Sequence, residues 1–210
     1  VEGALRRAVE LARLFIHPDG TFGGEYGSRN TLNFFPQGFE LVGRWMPEAL
    51  EVNDLFLEGL RRGLQPCYAD DHIVGHHTWN YLLAWRDFVP ERGAPAAAPD
   101  TRRHLEGAGI LVERRGTAQL YVALNKGGAF KLFRDGRLVA SDTQLSLRVG
   151  GRNAVGHLID RYDCTVEADR ISVSGTLGWA KHKLMNPFAM VISRAVMLTE
   201  IGRASCRERV

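Results

Sequence analysis

The sequence predicts an α+β protein in which a helical first part precedes an antiparallel β part. Apolar residues recur at a period near 3.6 as far as residue 88, and at a period near 2 beyond residue 101. Residues 89–101 between them contain three prolines and show no apolar periodicity. We therefore expect a helical domain over residues 1–88, a linker over 89–101 and a β domain over 102–199.

The composition indicates an ordinary soluble globular chain. It has 210 residues, of which 45% are hydrophobic and 24% are charged, enough for one large core or two modest ones. The formal net charge is +3 and no block of five lysines or arginines occurs, which argues against a nucleic-acid partner. No apolar run approaches the roughly 18 residues of a membrane-spanning helix, so we expect no membrane span.

Both ends of the chain are unusual. Residues 200–210, EIGRASCRERV, resemble a common sequencing-library adapter translated in frame, so we interpret them as a probable non-native tail. Without Cys206 in that tail, Cys67 and Cys164 remain, far apart and without Cys-x-x-Cys spacing. Neither a zinc knuckle nor a disulfide framework is therefore predicted. Because the chain begins at Val1 rather than Met, we expect an earlier segment to be missing.

Four helices are predicted in the first part. Residues 1–16 carry apolar residues on one side and charged residues on the other, and His17-Pro18-Asp19-Gly20 ends this helix. A second helix is expected after Pro36, with Phe35, Phe39, Val42 and Trp45 on its apolar side. A third is expected from Asn53, a good N-cap, to Gly63, and a fourth from Asp71 to Phe88. The fourth should bury a stripe formed by Ile73, Val74, Tyr81, Leu82 and Trp85.

The second part reads as short strands separated by turns. Residues 131–140 give the strongest local signal, because two strand-like runs flank Asp135-Gly136, a two-residue hairpin turn. Short strands with frequent turns predict an antiparallel β-sandwich. The other expected strands are residues 110–113, 119–124, 144–149, 155–159, 164–167, 171–177 and 189–198.

Reactive side chains crowd into a glycine-rich stretch, residues 19–31. Four of its thirteen residues are glycine, and Glu25, Tyr26, Arg29 and Asn30 stand among them. Glycine lets backbone adopt shapes that aim several side chains at one point, and loops on a rigid scaffold commonly carry function. The alternative is a connection between helices in which Glu25 and Arg29 form a structural ion pair.

A second candidate group is the histidine cluster His72, His76 and His77. His72 and His76 share a helical face at i, i+4 spacing, but no glutamate follows His72, so the zinc-protease pattern is absent. The alternative is three ordinary polar or capping histidines. Nearby aromatic residues could form a sugar-stacking platform or a helical core: Trp45, Trp79, Tyr81 and Trp85.

Helices followed by a proline-rich link and an antiparallel sandwich resemble the heparinase II/III type of polysaccharide lyase. Asp19-Gly20 followed by Glu25 resembles an interhelical loop of that family, and residues 126–142 resemble its early sandwich hairpin. The resemblance implies a partial α/α toroid followed by a β-sandwich, and a periplasmic or secreted location. It also implies an acidic polysaccharide or oligosaccharide as the partner.

The chain departs from that family at two motifs. Many members carry a Tyr-His pair after the glutamate, where this chain has Arg29-Asn30. Members with a metal often show His-x-His before a sandwich strand, where this chain reads Asn125-Lys126-Gly127-Gly128. We therefore predict no metal and no cofactor. A family asparagine or histidine expected on an earlier helix has no counterpart, so a fragment of this length is expected to be inactive.

The implied reaction is β-elimination at a uronic acid. It requires neutralising the sugar carboxylate, removing the α-proton and protonating the leaving oxygen. Arg29 could clamp the carboxylate, Asn30 could donate to the developing enolate, and Tyr26 could transfer the proton. A histidine completes the set, with His72 and His76 as candidates. Glu25, His77 and Trp79 are the candidate substrate contacts.

Two other functions remain open on the sequence. One is a non-catalytic glycan-binding or scaffold protein that keeps the same fold. The other is a toroid glycoside hydrolase, which needs a carboxylate pair, and Glu25 with Asp70 or Asp71 is the grouping to test.

Overall fold

Four α-helices and ten β-strands lie in the part of the chain that the computed structural model describes. That part is residues 1–22, 34–64, 74–93, 99–142, 146–156, 162–180, 188, 190–192 and 194, without the side chains of 74 and 76. The helices are α1 Glu2–Phe15, α2 Gln37–Gly43, α3 Pro47–Arg61 and α4 Val74–Arg86. The strands are β1 Thr101–Leu105, β2 Ile110–Arg115, β3 Ala118–Ala123, β4 Ala129–Arg134, β5 Arg137–Asp142, β6 Ser146–Val149, β7 Arg152–Val155, β8 Tyr162–Val166, β9 Ile171–Gly175 and β10 Gly178–Trp179. None of the described helices is both long and apolar enough to cross a bilayer.

An aromatic cluster holds the helices together. Phe34 stacks on Phe56 of α3 with ring centroids 4.2 Å apart, and on Phe39 of α2 at 4.7 Å. Ile16 and Val52 complete its buried centre. Burial of large apolar side chains supplies most of the stabilisation in such a core. The cluster therefore fixes the C-terminal end of α1 against α2 and α3.

Helix α3 begins earlier than predicted. It starts at Pro47, whose missing N–H costs nothing in a first helical turn, and Asn53 lies in its middle rather than at its N-cap. Asn53 is fully buried and donates to a carboxylate oxygen of Glu40 at 2.6 Å. Asparagine favours helix N-caps, but Asn53 makes a buried polar contact instead. The sequence pattern alone does not distinguish these two roles.

Asp87 anchors the end of α4 against α2. Its carboxylate accepts hydrogen bonds from Arg86 at 2.8 and 3.0 Å and from Gln37 at 3.3 Å. The bonds from Arg86, with smaller contributions from Gln37 and Arg44, lower the pKa of Asp87 below 3.8, against the opposing effect of burial.

The lowered pKa of Asp87 predicts one component of acid destabilisation. A depressed folded-state pKa stabilises the fold above the unfolded value of 3.8, and this stabilisation is lost as the pH falls through the lower folded value. Asp87→Asn should remove that component, so the variant should lose less stability than the parent between pH 4 and lower pH. Carboxyl NMR titration measures the pKa of Asp87, and urea unfolding at several pH values measures the free energy of unfolding of the parent and the variant. An Asp87 pKa at or above 3.8 would contradict the prediction.

The largest sheet is a five-stranded antiparallel meander in the order β1-β2-β3-β4-β5. The predicted hairpin is confirmed: β4 and β5 pair around Asp135 and Gly136, which have φ angles of 52° and 71°. Positive φ at both positions is the geometry of a type I′ turn, which asparagine, aspartate and glycine tolerate best. β6, β7 and β10 form a second sheet, and β8 pairs with β9 in a third.

The two faces of the meander are covered differently. Val112, Tyr121 and Phe133 face Leu14 and Phe15 of α1. On the opposite face, the buried residues Leu111, Val122 and Leu124 contact Val166, Ile171 and Val173 of the β8–β9 hairpin. The alternation of side chains along β2 and β3 accounts for this separation. The meander is therefore a middle layer between helix α1 and a two-stranded hairpin.

The predicted partial α/α toroid followed by a β-sandwich is wrong. The described helices have 7 to 15 residues and contact one another in the order α1, α3, α2, α4, with no arrangement of paired helices around an axis. The protein is only loosely α+β, with antiparallel sheets of five, three and two strands. Amphipathic spacing determines that a helix has a buried side, but it contains no information on how successive helices are arranged.

Two further element predictions are wrong, and a third can be judged only in part. The described positions within 189–198, namely 190–192 and 194, are helical rather than extended. Of the strand expected at residues 155–159, Val155 is the last residue of β7, Gly156 is not extended, and residues 157–159 lie outside the described residues. Leu82 and Trp85 of α4, expected in its buried stripe, are 53% and 80% exposed. In each segment apolar residues were identified correctly, but a short apolar run does not specify the element or the side that is covered.

Candidate functional site

A groove opens where α1 and α3 meet β1, β2 and β3. Its volume is about 660 Å³, and four arginines dominate its polar lining. We call it the arginine groove, after Arg7, Arg13, Arg103 and Arg114, which face two glutamates, Glu10 and Glu51.

One helix and two strands place these arginines around the groove. Arg7 and Arg13 are six residues apart on α1, which separates them by about 9 Å along the helix axis. On the sheet, Arg103 pairs with Val112, and Arg114 pairs with Thr101. Val112 belongs to the face that contacts α1. Strand alternation then puts Arg103 and Arg114 on that same face, opposite the helical arginines.

Two of the four arginines already have protein partners. Arg114 donates through Nη2 to the backbone carbonyl oxygens of Arg13 and Leu14, at 2.5 and 3.2 Å. A cation at the C-terminal end of α1 satisfies carbonyls that lack helical partners and complements the helix dipole. Arg13 pairs with Glu51 at 2.7 Å. These two contacts hold α1 against the sheet and against α3.

Arg7 and Arg103 are the available cations of the groove. Both are exposed, and within the described part of the chain neither forms an ion pair with a carboxylate. A guanidinium presents several N–H donors in one plane and matches a carboxylate in a bidentate geometry. The groove can therefore bind an anionic ligand between α1 and β1 without breaking an internal ion pair.

A buried polar chain lies directly beneath the groove. The Tyr121 hydroxyl donates to the carbonyl oxygen of Ile16 at 2.9 Å and lies 3.1 Å from Gln119 Oε1. His17 is fully buried, with its ring centroid 4.7 Å from that of Tyr121. Because neither His17 nor Tyr121 is exposed to the groove, we interpret them as structural groups rather than as proton donors to a ligand.

The hydrogen bonds of Thr21 assign the tautomer of His17. Thr21 donates its one hydroxyl proton to Asp19 Oδ1 at 2.7 Å, and its oxygen lies 2.7 Å from His17 Nδ1. The hydroxyl oxygen must then accept from His17, so Nδ1 carries a proton. The first three residues of the glycine-rich stretch thus form a turn that is fixed to the buried histidine.

Most predicted site residues lie outside the described residues. Glu25, Tyr26, Arg29, Asn30 and His72 fall there, as does the side chain of His76. Whether these groups meet around one cleft stays a prediction.

Two predicted substrate contacts are described, and they differ in exposure. His77 is buried, with Phe35 at 5.3 Å and Tyr81 at 5.9 Å between ring centroids. Trp79 is 65% exposed on α4. Trp45 and Trp85 are also exposed, so the interpretation of the tryptophans as core is wrong for all three. Only Trp79 of the pair is accessible to a ligand in this arrangement.

Metal-ligating and thiol groups are sparse in the described residues. No group of three or more histidine, cysteine, aspartate or glutamate side chains there could hold a metal ion. Cys164 is an exposed free cysteine, and partial burial of its thiol, with the nearby Asp163, raises its pKa. A raised pKa lowers the thiolate fraction and therefore the reactivity.

Sequence reasoning missed the arginine groove. Arg7 and Arg103 are separated by most of the helical part of the chain, and neither belongs to a recognisable motif. The available signal was weak: three arginines within α1 and two within β1. Comparison with known proteins supplies no further guidance, because no protein-family model, no curated protein and no solved structure matches the chain.

Proposed function

We propose that the protein binds an acidic, uronic-acid-containing glycan in the arginine groove. The observation that carries this proposal is that four arginines, from α1 and the sheet, line one cavity of about 660 Å³. Two of them, Arg7 and Arg103, are exposed on opposite sides and can each bind a carboxylate.

The rest of the lining suits sugar rings rather than a compact anion. Leu11, Leu14 and Leu55 line the groove together with the charged groups. A glycan presents apolar C–H faces between its carboxylates, so it can contact the leucines while its acidic groups pair with arginines. A small inorganic anion would leave the leucine surface uncovered.

We further propose that the protein acts on this glycan as a polysaccharide lyase, by β-elimination. The supporting observation is that Pro18 forms part of the groove wall, one residue before the fixed Asp19–Thr21 turn. That turn leads into the segment that contains Tyr26, Arg29 and Asn30. The groove supplies carboxylate binding, and those residues would supply the proton transfers that its own described side chains do not offer.

Charge reversal in the groove tests the binding proposal. Arg103→Glu should weaken binding of a uronate oligosaccharide by about 10- to 100-fold, because one charge-assisted contact is replaced by repulsion. Arg7→Glu should act in the same direction. Titration calorimetry at low and high salt measures the effect, and the affinity of the parent should fall with salt.

Arg62→Glu is the matched control, since Arg62 is an exposed arginine just beyond α3 and outside the groove lining. It makes the same change in net charge and should leave binding nearly unchanged. Equal losses for Arg62→Glu and Arg103→Glu would show non-specific attraction and contradict the groove assignment.

The lyase proposal has a separate readout. β-Elimination creates an unsaturated uronate, which absorbs in the ultraviolet, and the assay uses the full-length protein because this chain alone is expected to be inactive. Arg29→Ala should abolish that absorbance, and Arg103→Glu should raise KM more than it lowers kcat. Binding without any unsaturated product across a panel of uronate polymers would retain the glycan-binding proposal and overturn the lyase proposal.

A further inference from the structure

Helix α4 carries an exposed apolar surface that none of the described elements covers. Its outward side presents Gly75, Trp79, Leu82 and Trp85, which we call the tryptophan face. Trp79, Leu82 and Trp85 are 65%, 53% and 80% exposed. At 100° per residue, all four positions lie within about 60° of the direction in which Leu82 points.

The opposite side of α4 is buried in the usual way. His77, Ala84 and Asp87 face α2 and the aromatic residues around it. Apolar residues therefore lie on both sides of this helix, whereas a helix on the surface of a globular protein has one apolar side. This distribution is typical of a helix that is covered on both sides.

The size of the tryptophan face fits a protein–protein contact. Taking about 200 Å² for a large side chain, Trp79, Leu82 and Trp85 together expose on the order of 400 Å² of apolar surface. Patches of that size on a single chain commonly mark interaction sites. A standard interface buries about 800 Å² from each partner, so this face would supply its apolar centre.

The face is complementary to itself. Residue 80 is the midpoint of α4, and a two-fold axis beside it would place residue 75 of one copy opposite residue 85 of the other. Position 75 is glycine, with open space where a Cβ would stand, and position 85 is the most exposed tryptophan of the helix. A small residue thus faces a large one at both ends of the contact.

We infer that the tryptophan face is the contact between two antiparallel copies of this chain, with Trp85 of each covering Gly75 of the other. Arg86, 63% exposed and paired with Asp87, would lie at the polar rim. This inference does not depend on the proposed glycan binding, because the arginine groove is formed by other elements.

Sedimentation of the full chain tests the inference. The parent should show a concentration-dependent monomer–dimer equilibrium. Leu82→Glu should raise the dimer Kd at least about 30-fold, because it buries a charge at the centre of the contact. Gly75→Leu should also weaken the dimer, because it fills the space that Trp85 occupies. Leu138→Glu is the matched control, since Leu138 is similarly exposed on β5 but lies outside the contact, and it should leave the equilibrium unchanged.

Cross-linking gives an answer that does not depend on a destabilised variant. With the cysteines at 67, 164 and 206 replaced by serine, Gly75→Cys combined with Trp85→Cys should form an intermolecular disulfide on mild oxidation. Gly75→Cys combined with Leu138→Cys should not. A parent that stays monomeric throughout the soluble concentration range, or equal cross-linking of the two pairs, would overturn the inference. The inference would also be overturned if a neutral oligosaccharide protected Trp85 from a fluorescence quencher while the chain stayed monomeric.

Discussion

Gly20→Ala is expected to lower the free energy of unfolding by about 3 kcal/mol or more. A Cβ at position 20 would stand 2.0 Å from the carbonyl oxygen of Leu55 and 2.8 Å from the backbone nitrogen of Gly59. Both are backbone atoms of α3, so no side chain can rotate away. Gly20 also has a φ of 82°, which alanine tolerates poorly.

The melting temperature reports this loss directly. For a chain of this size, 3 kcal/mol corresponds to a fall of about 6 to 12 °C, measurable by calorimetry or circular dichroism. Gly59→Ala should also destabilise, because its Cβ would stand 2.9 Å from the carbonyl carbon and oxygen of Gly20. Gly59→Ala should lower the free energy of unfolding less than Gly20→Ala does, because Gly59 lies in a helix and its substitution carries no cost from a positive φ.

Gly38→Ala is the matched control for the same chemical change. Gly38 lies in α2 with nothing within 4 Å of an added Cβ, so alanine should stabilise the helix by about 0.5 to 1 kcal/mol. If Gly20→Ala and Gly38→Ala had similar effects, the close approach of the Asp19–Thr21 turn to α3 would be wrong.

The sequence predicted those features that depend on neighbouring residues. Asp135-Gly136 specifies its turn through its own φ angles, so the β4–β5 hairpin was predictable without knowledge of the rest of the chain. Pro18 likewise ends α1, because it restricts the residue before it. Such local constraints survive in almost any tertiary arrangement.

Features that depend on distant residues were not predictable in the same way. Apolar spacing predicted Trp85 to be a core residue, but the position of α2 determines which side of α4 is buried. Arg7 and Arg103 line the same groove because α1 packs against the meander, a relation that no local sequence pattern contains. The toroid prediction was wrong for the same reason, because it concerned the arrangement of several helices rather than the existence of any single helix.

The other large effect is expected at Glu40, which connects the chain after α4 to the helical core. Its carboxylate is buried and accepts hydrogen bonds from Asn53 and Arg92, both at 2.6 Å, and from the backbone N–H of Val89 at 3.0 Å. Residues 89–93, which the sequence assigned to a linker, are therefore attached at two points, Val89 and Arg92, to Glu40 of α2. Replacing a buried hydrogen-bonded charge leaves its partners without compensation.

Glu40→Ala should accordingly lower the free energy of unfolding by about 3 to 5 kcal/mol, measured by urea unfolding. The Arg92 side chain is 20% exposed and can partly regain water, so the lower end of that range is expected. Hydrogen exchange should accelerate at Val89 because its N–H loses its acceptor. The exposed pair of Glu58 and Arg61 at 2.7 Å provides the control, and Glu58→Ala should leave the free energy of unfolding nearly unchanged.

A double-mutant cycle separates the ion pair from the rest of the network. If Glu40 acts mainly through Arg92, the loss for Glu40→Ala with Arg92→Ala should be well below the sum of the two single losses. Additive losses would instead assign the stabilisation to Asn53 and Val89, and Asn53→Ala would then cost more than Arg92→Ala. Unchanged exchange at Val89 in Glu40→Ala would contradict the role of this carboxylate as the attachment point of residues 89–93.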